Sequence, residues 1–401
     1  MSSDCVLEMG LDDYIGQYIN QAGRILLSCV IELTRRCNNR CVHCYINKPC
    51  WDPEEKHGEL NLKQLQQILD DLAELGCLRL LLTGGEPLLR EDFREIYLYA
   101  KKKGFLVTVF TNGTLITPTL ADFFQEYPPR AIEITLYGAT KSTYEKVTGI
   151  AGSYDNCLRG LRLLLDRSLS VRLKTVIIKA NKHEFIPMRD FVQNLGLDFR
   201  FDALINARVD GERDVTQFRI SPTEVVELDL TDPRRKQEFQ RLYDRSAGNR
   251  TNSDLLYKCG AGLNSVHIDP LGQLSLCITS RSPSYDLRTG SLAEAWYKFI
   301  PDIRKHKVQR PGPCQTCDLS AICNQCPGWA QLESGDPEAS VDFLCAVTRR
   351  RAEAYGIGTT TQPHVSLSGK VAAGSGGNET LTIEGRASWE PTKRGSIKSP
   401  A

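Results

Sequence analysis

No apolar run in these 401 residues is long enough to cross a bilayer, which takes about twenty consecutive apolar residues, so no helical membrane span is expected. Neither sign of charge is in excess, since 50 Lys and Arg stand against 49 Asp and Glu. That balance gives no electrostatic reason to expect nucleic acid or an anionic membrane as partner. The start, MSSDCVLEMG, lacks a basic and apolar leader, so a cytoplasmic location is expected, where thiols stay reduced. Cysteine is what the chain has in excess. Fifteen are too many for an ordinary cytosolic enzyme, and the surplus asks for metal. Length and a hydrophobic content of 41% suit one large domain with a smaller one.

Three of the thiols fall within eight residues, in Thr34-Arg35-Arg36-Cys37-Asn38-Asn39-Arg40-Cys41-Val42-His43-Cys44-Tyr45, directly after the apolar segment 29–33. What is missing here is a fourth. A cubane iron-sulfur cluster has four irons and normally four cysteines, so three leave one iron open to something other than protein. A zinc site would want a second Cys-x2-Cys or a histidine pair nearby. The next thirty residues add only Cys50, which leaves zinc as the weaker alternative.

Along the chain, apolar and β-branched runs at 28–33, 78–82, 106–110, 131–136, 171–178 and 199–204 read as strands. Helical patterns lie between them, at 62–75, 92–103, 118–124, 154–166 and 184–195. The first repeats Leu62, Leu65, Ile68, Leu69, Leu72 and Leu75 at helical spacing, with Asn61 placed to cap it and Gly76 to end it. Six βα units in succession imply a parallel sheet with right-handed crossovers, an α/β fold. Chemistry is then expected on loops after the strands. After the second strand comes Thr83-Gly84-Gly85-Glu86-Pro87, whose glycines permit close backbone approach and whose carboxylate can accept from an ammonium group. Thr111-Asn112-Gly113-Thr114 follows the third strand and Thr135-Leu136-Tyr137-Gly138 the fourth.

The second half carries another constellation. Cys259 is followed by twelve residues, Gly272, four residues and Cys277; then come Cys314-x2-Cys317-x5-Cys323-x2-Cys326 and finally Cys345. Seven cysteines in this order are hard to explain as scattered core thiols, and a zinc ribbon needs only four.

Cys-x3-Cys-x2-Cys followed by an aromatic residue, on the loop after a first strand, resembles the radical S-adenosylmethionine (radical SAM) superfamily, and Gly-Gly-Glu-Pro after the second strand strengthens the likeness. The seven later cysteines resemble the SPASM extension of members that act on peptides and proteins. The resemblance implies a partial (β/α)6 TIM-like barrel followed by a cysteine-rich iron-sulfur SPASM domain. It implies a 4Fe-4S cluster on Cys37, Cys41 and Cys44, whose open iron chelates S-adenosylmethionine for reductive cleavage to a 5′-deoxyadenosyl radical. It also implies that Tyr45 packs near the adenine, that Gly84, Gly85, Glu86 and Pro87 contact the methionine amino group, that Asn112 borders the pocket, and that Thr135 touches the ribose. Many relatives carry an arginine about a dozen residues further on; Lys146 stands in that region, without the bidentate fork of arginine.

By the same resemblance, two auxiliary 4Fe-4S clusters are expected. Cys314, Cys317, Cys323 and Cys345 would ligate the outer one, and Cys259, Cys277 and Cys326 the inner one. Some relatives supply a fourth inner cysteine where this chain has Ser265, so substrate, water or a distant thiol such as Cys157 is left to complete it. Cys29 and Cys77 border apolar strands and read as core residues. Cys50 is the remaining candidate for a catalytic thiol, and Tyr137 and Asp202 are candidates for the barrel mouth.

The expected organisation is a lead-in over 1–25, a radical SAM core over 26–207, a bridge over 208–258, a SPASM domain over 259–356 and a disordered tail over 357–401. Ile383-Glu384-Gly385-Arg386 in that tail matches a protease-cleavage linker. The lead-in is too short for the peptide-recognition domain some relatives carry. The leading expectation is an enzyme that modifies a ribosomally made peptide or a protein side chain, with a separate peptide-recognition protein and an electron donor such as flavodoxin or ferredoxin as partners. Alternatives are a tetrapyrrole enzyme of haem biosynthesis, a non-catalytic iron-sulfur carrier, and an anaerobic sulfatase-maturing enzyme. Against the last, Ile278 follows Cys277 where such enzymes carry an aspartate.

Overall fold

The structure is a computed structural model that describes residues 24–46, 48–247, 254–310 and 312–357. The expected lead-in, all but its last two residues, and the expected tail, from residue 358 on, lie outside the described residues. Six strands follow one another with helices between them: β1 Ser28–Glu32, β2 Arg79–Thr83, β3 Leu106–Thr111, β4 Ala131–Thr135, β5 Val171–Val176 and β6 Phe199–Asp202. Each pairs in parallel with the next, forming the partial (β/α)6 barrel. Every expected strand is present, ending at most two residues from its expected bound.

The connecting helices are α1 Leu62–Glu74, α2 Phe93–Lys102, α3 Pro118–Glu126, α4 Lys141–Thr148, α5 Ser153–Leu165 and α6 Phe185–Asn194. Sequence periodicity missed α4, whose eight residues KSTYEKVT bury only Thr143, Tyr144, Val147 and Thr148. In α1 the leucine stripe does what its spacing demands. Leu65, Ile68, Leu69 and Leu72 are buried, and Asn61 and Gln64 form a reciprocal capping box. Gly76 then turns the chain with φ +80°, a left-handed conformation that favours glycine.

The helices cover one face of the sheet. Leu80, Leu82, Val107, Val109, Ile132, Ile134 and Leu173 point into that layer and are at most 1% exposed. Fully burying one such side chain contributes about 1.5–3 kcal/mol. Of the alternate residues, Val30, Leu81, Thr108, Phe110, Arg172 and Lys174 are only half-buried, whereas Glu133 is buried. Parallel sheets usually hide both faces. Here the second face stays partly open, and the loops after the strands border it.

A seventh parallel strand comes from the C-terminal half. β7 Ser265–Ile268 pairs with β1, and β8 Gln273–Ser275 and β9 Tyr285–Asp286 add antiparallel strands beyond it, giving the order β9-β8-β7-β1-β2-β3-β4-β5-β6. These strands have two to four residues, too few for a periodic signal.

The expected bridge contains α7 Pro222–Leu230 and α8 Pro233–Ala247. Buried Asp229 of α7 accepts from Arg351 Nε at 2.7 Å, which ties it to α10 Asp342–Tyr355. Between these comes α9 Pro327–Ser334.

Candidate active site

The residues 34–45 leave the end of β1 and are held by three other loops. Gly85 N–H donates to the Thr34 carbonyl at 2.8 Å and Glu86 N–H to the Arg36 carbonyl at 2.9 Å. The two backbones touch so closely that a methyl group on Gly84 would collide with the Thr34 carbonyl, and one on Gly85 with that of Arg36. Gly84 also has φ +144°. These glycines are required because one loop must lie flat against the cysteine loop. Glu59 adds a side-chain anchor, accepting from Thr34 Oγ1 at 2.5 Å and Arg36 Nε at 2.8 Å.

The Glu86 carboxylate is fully buried and accepts from Thr111 Oγ1 and from Asn112 N–H, both at 2.7 Å. Burial pushes it up to about 7, against those bonds. It therefore fixes the loop after β3 from within, with Pro87 buried behind it. Asn112 Nδ2 in turn donates to Asn38 Oδ1 at 2.8 Å and lies 3.8 Å from Cys37 Sγ. From the loop after β4, Tyr137 packs edge-on to His43 at 5.3 Å, and its hydroxyl lies near enough to the Cys41 thiol to favour its thiolate form. Four hydrogen bonds from Ala139, Thr140 and Thr143 to the Glu184 carboxylate hold this turn. Finally, Arg40 and Val42 N–H groups donate to the carbonyls of Thr148 and Val147 at the end of α4. Lys146, one residue earlier, is exposed, and Thr135 is half-buried at the end of β4.

Cys37, Cys41 and Cys44 thus share one half-buried site. Burial pushes the Cys37 thiol up to about 12, with Glu86 adding to the effect; Cys41 is raised by burial and by its two neighbours. Among the described residues no three His, Cys, Asp or Glu side chains converge as a single metal ion would require. The donor set fits a larger group with several irons, each taking one thiolate. Donors are already aimed at sulfur: Asn39 N–H lies 3.4 Å from Cys37 Sγ, in addition to Asn112 and Tyr137. Such bonds favour the thiolate that a metal needs.

Tyr45 leads away from the loop, its hydroxyl donating to Glu32 Oε1 at 3.2 Å. Glu32 is 0% exposed and receives both Arg281 Nη atoms, at 2.7 and 2.8 Å, while His267 Nε2 lies 3.5 Å away. Burial pushes its carboxyl up, but His267 and Arg281 outweigh that and hold it at about 2. The signal for this network was a glutamate ending the otherwise apolar strand SCVIE. Beside it lies a cleft of about 340 Å³ lined by Arg35, His267, Asp269, Ser275 and Arg281.

The seven later cysteines fall into two groups. Cys314 and Cys345 are raised by burial and by neighbouring Cys317 and Cys323, and Thr348 Oγ1 donates to Cys323 Sγ at 3.3 Å. Cys259, Cys277 and Cys326 form the other group. There Ser280 N–H donates to Cys277 Sγ at 3.3 Å, and Cys326 directly precedes α9, its thiol raised by burial against the pull of the Gly328 and Trp329 amides. Cys157 is elsewhere: it is buried in α5 against Tyr144 and Gly113. Ser265 is half-buried on β7, Cys50 is half-buried with its carbonyl on Arg36, and Asp202 is exposed, accepting from Leu204 N–H. Cys29 and Cys77 are buried neighbours in the core.

The family model for the radical SAM superfamily matches residues 31–192. The AdoMet-dependent heme synthase of Methanosarcina barkeri is 31% identical over 328 residues, 76% of this chain and 92% of that protein. Mycofactocin maturase MftC of Mycobacterium tuberculosis is 29% identical over 78% of this chain and 81% of its own. Streptococcus suis SuiB, bound to precursor peptide SuiA, shares the fold with a TM-score of 0.61 at 16% identity, over 86% of this chain and 84% of that one. Within the described residues no helix is long and apolar enough to cross a membrane. The chain belongs to the radical SAM superfamily, as an enzyme with a C-terminal SPASM-type cysteine-rich extension.

Proposed function

We propose that the chain modifies a ribosomally made peptide or a protein side chain, starting by hydrogen abstraction. The reading is carried by one observation: an open three-cysteine loop and a seven-cysteine extension occur together in a chain that resembles a mycofactocin maturase over 78% of its length. When bound, a 4Fe-4S cluster with S-adenosylmethionine supplies the 5′-deoxyadenosyl radical. On this reading Cys37, Cys41 and Cys44 hold that cluster, while Asn39 N–H, the Asn112 amide and the Tyr137 hydroxyl favour their thiolate forms. Tyr45, Gly84, Gly85, Glu86, Pro87, Asn112 and Thr135 border S-adenosylmethionine, and Lys146 supplies a charge for its carboxylate. Buried Glu86 acts by positioning Thr111 and Asn112.

Cys314, Cys317, Cys323 and Cys345 would hold one auxiliary 4Fe-4S cluster and Cys259, Cys277 and Cys326 another, with a flavodoxin or ferredoxin as electron donor in the cytoplasm. A separate peptide-recognition protein would present the substrate.

A second reading, a tetrapyrrole substrate, is favoured by the likeness to a heme synthase over 92% of that protein. Reconstituted protein with S-adenosylmethionine and dithionite, offered either the short peptides encoded beside its gene or Fe-coproporphyrin III, separates the two. A mass change in a peptide that tracks 5′-deoxyadenosine supports maturation. Loss of carbon dioxide from the porphyrin alone would replace it with the second reading.

A further inference from the structure

The open face of the sheet carries a cationic group that none of the roles above uses. In register, Phe110 of β3 faces Glu133 of β4 and Arg172 of β5; one level further along, Thr135 of β4 faces Lys174 of β5 and Arg200 of β6. All lie on the face away from the helices. One carboxylate serves three cations there. Glu133, whose side chain is 5% exposed, has Arg200 Nη2 at 3.5 Å, Arg172 Nη1 at 3.8 Å and Lys174 Nζ at 3.9 Å. None of these is a hydrogen bond, and Glu133 Oε2 has no hydrogen-bond partner. Among the described residues, exposed Asp198 is the other carboxylate within ion-pair distance of these cations, 4.0 Å from Arg172.

Lys174 is the most constrained of the three. Its ammonium sits 2.9 Å from the centroid of the Phe110 ring. Burial lowers it to about 7, with Glu133 opposing and Arg200 adding to the shift. A cation taken from water without a hydrogen-bonded counter-ion is costly, which marks the position as a candidate for function. Its place agrees. Thr135, the neighbour of Lys174, is two residues from Tyr137, whose ring packs 5.3 Å from His43 of the cysteine loop.

We propose that Lys174 and Arg200, with Arg172 beside them, bind a carboxylate of the substrate on the open face of the barrel, next to the cluster loop. The inference rests on the radical-enzyme reading for what happens to that substrate. The carboxylate can belong to an acidic residue or C-terminus of a peptide, or to a propionate of a tetrapyrrole. Either would give Lys174 and Arg200 the short, charge-assisted bonds that Glu133 does not.

The test is equilibrium binding to the reconstituted full chain with S-adenosylmethionine present. One arm uses nine-residue peptide libraries with a fixed central Glu or Gln; the other uses coproporphyrin III and its tetramethyl ester. We expect one arm to show a preference of about ten-fold for the acid, identifying its source. Lys174→Met and Arg200→Gln should each reduce it to about two-fold or less, and Lys174→Arg should restore part of it. Arg200 is 64% exposed, so its variant reports even if Lys174→Met fails to fold. No preference in either arm, or one unchanged in the variants, overturns the inference. Absence of 5′-deoxyadenosine from wild-type protein would instead reject the radical reading and leave the binding result standing.

Discussion

The cysteine loop at 37–44 and the cysteine array at 259–345 use the same thiol but are held in opposite ways. The loop is fixed by backbone contacts to Gly85 and Glu86, by Glu59, and by amides reaching the end of α4. The array is met at its sulfurs instead: Cys277 accepts from Ser280 N–H and Cys323 from both Gln325 N–H and Thr348 Oγ1, while Cys259 and Cys317 are exposed. A site fixed by its own backbone is organised before any metal arrives. A site fixed mainly by thiols owes part of its order to the metal. On the proposed reading, the barrel loop places a radical and the extension is completed by iron.

The largest expected effect separates the two regions outright. Replacing Cys37, Cys41 and Cys44 together by Ala should reduce 5′-deoxyadenosine formation to background while iron remains on the extension; cleavage that persists would exchange the roles assigned to the regions. Next, chelating the iron from reconstituted protein should expose residues 259–345 to protease and hydrogen exchange well before the barrel. Simultaneous loss in both regions would break the comparison.

Glu32→Gln tests the seam, since Arg281 of the extension grips the end of β1. Breaking this buried pair should cost about 3 kcal/mol at neutral pH in denaturant unfolding. The carboxyl is held at about 2, below its ordinary value of 4.5, so its contribution is present above pH 4.5 and fades as pH falls toward 2. The gap between wild type and variant should therefore close in acid; a constant gap would mean that the charge is not what matters.

The smallest effects compare single supports. Asn112→Ala removes bonds to Asn38 and Thr114 and should cost about 2 kcal/mol, whereas Thr348→Val, which loses one bond to Cys323 and one to Leu344, should cost about 1 kcal/mol. Equal costs would show that the two regions are supported alike.

Sequence made the barrel legible because its strands are apolar and β-branched runs or alternate such residues with charged ones, as in β5 and β6, and the leucine stripe of α1 is periodic. It made the cysteine loop legible through spacing. It did not reveal β7 to β9, which are too short to carry a pattern, or α4, whose buried face is Thr, Tyr and Val rather than an aliphatic stripe. Nor could spacing tell what Glu86 does. The carboxylate expected to meet an ammonium group also accepts from Thr111 Oγ1 and Asn112 N–H, contacts that no local pattern announces. Likewise a bridge that looked merely charged holds Asp229, whose partner Arg351 is 122 positions away. Long-range pairs of this kind leave no local signal.

The central claim, one catalytic loop and two further groups of thiols for clusters, is tested most directly by counting iron and acid-labile sulfide in anaerobically reconstituted wild-type protein, with Mössbauer spectra to assign cluster type. The account predicts about twelve irons per chain, all in 4Fe-4S form. A plateau near about four irons would contradict it, leaving the array of seven cysteines without the role argued for it.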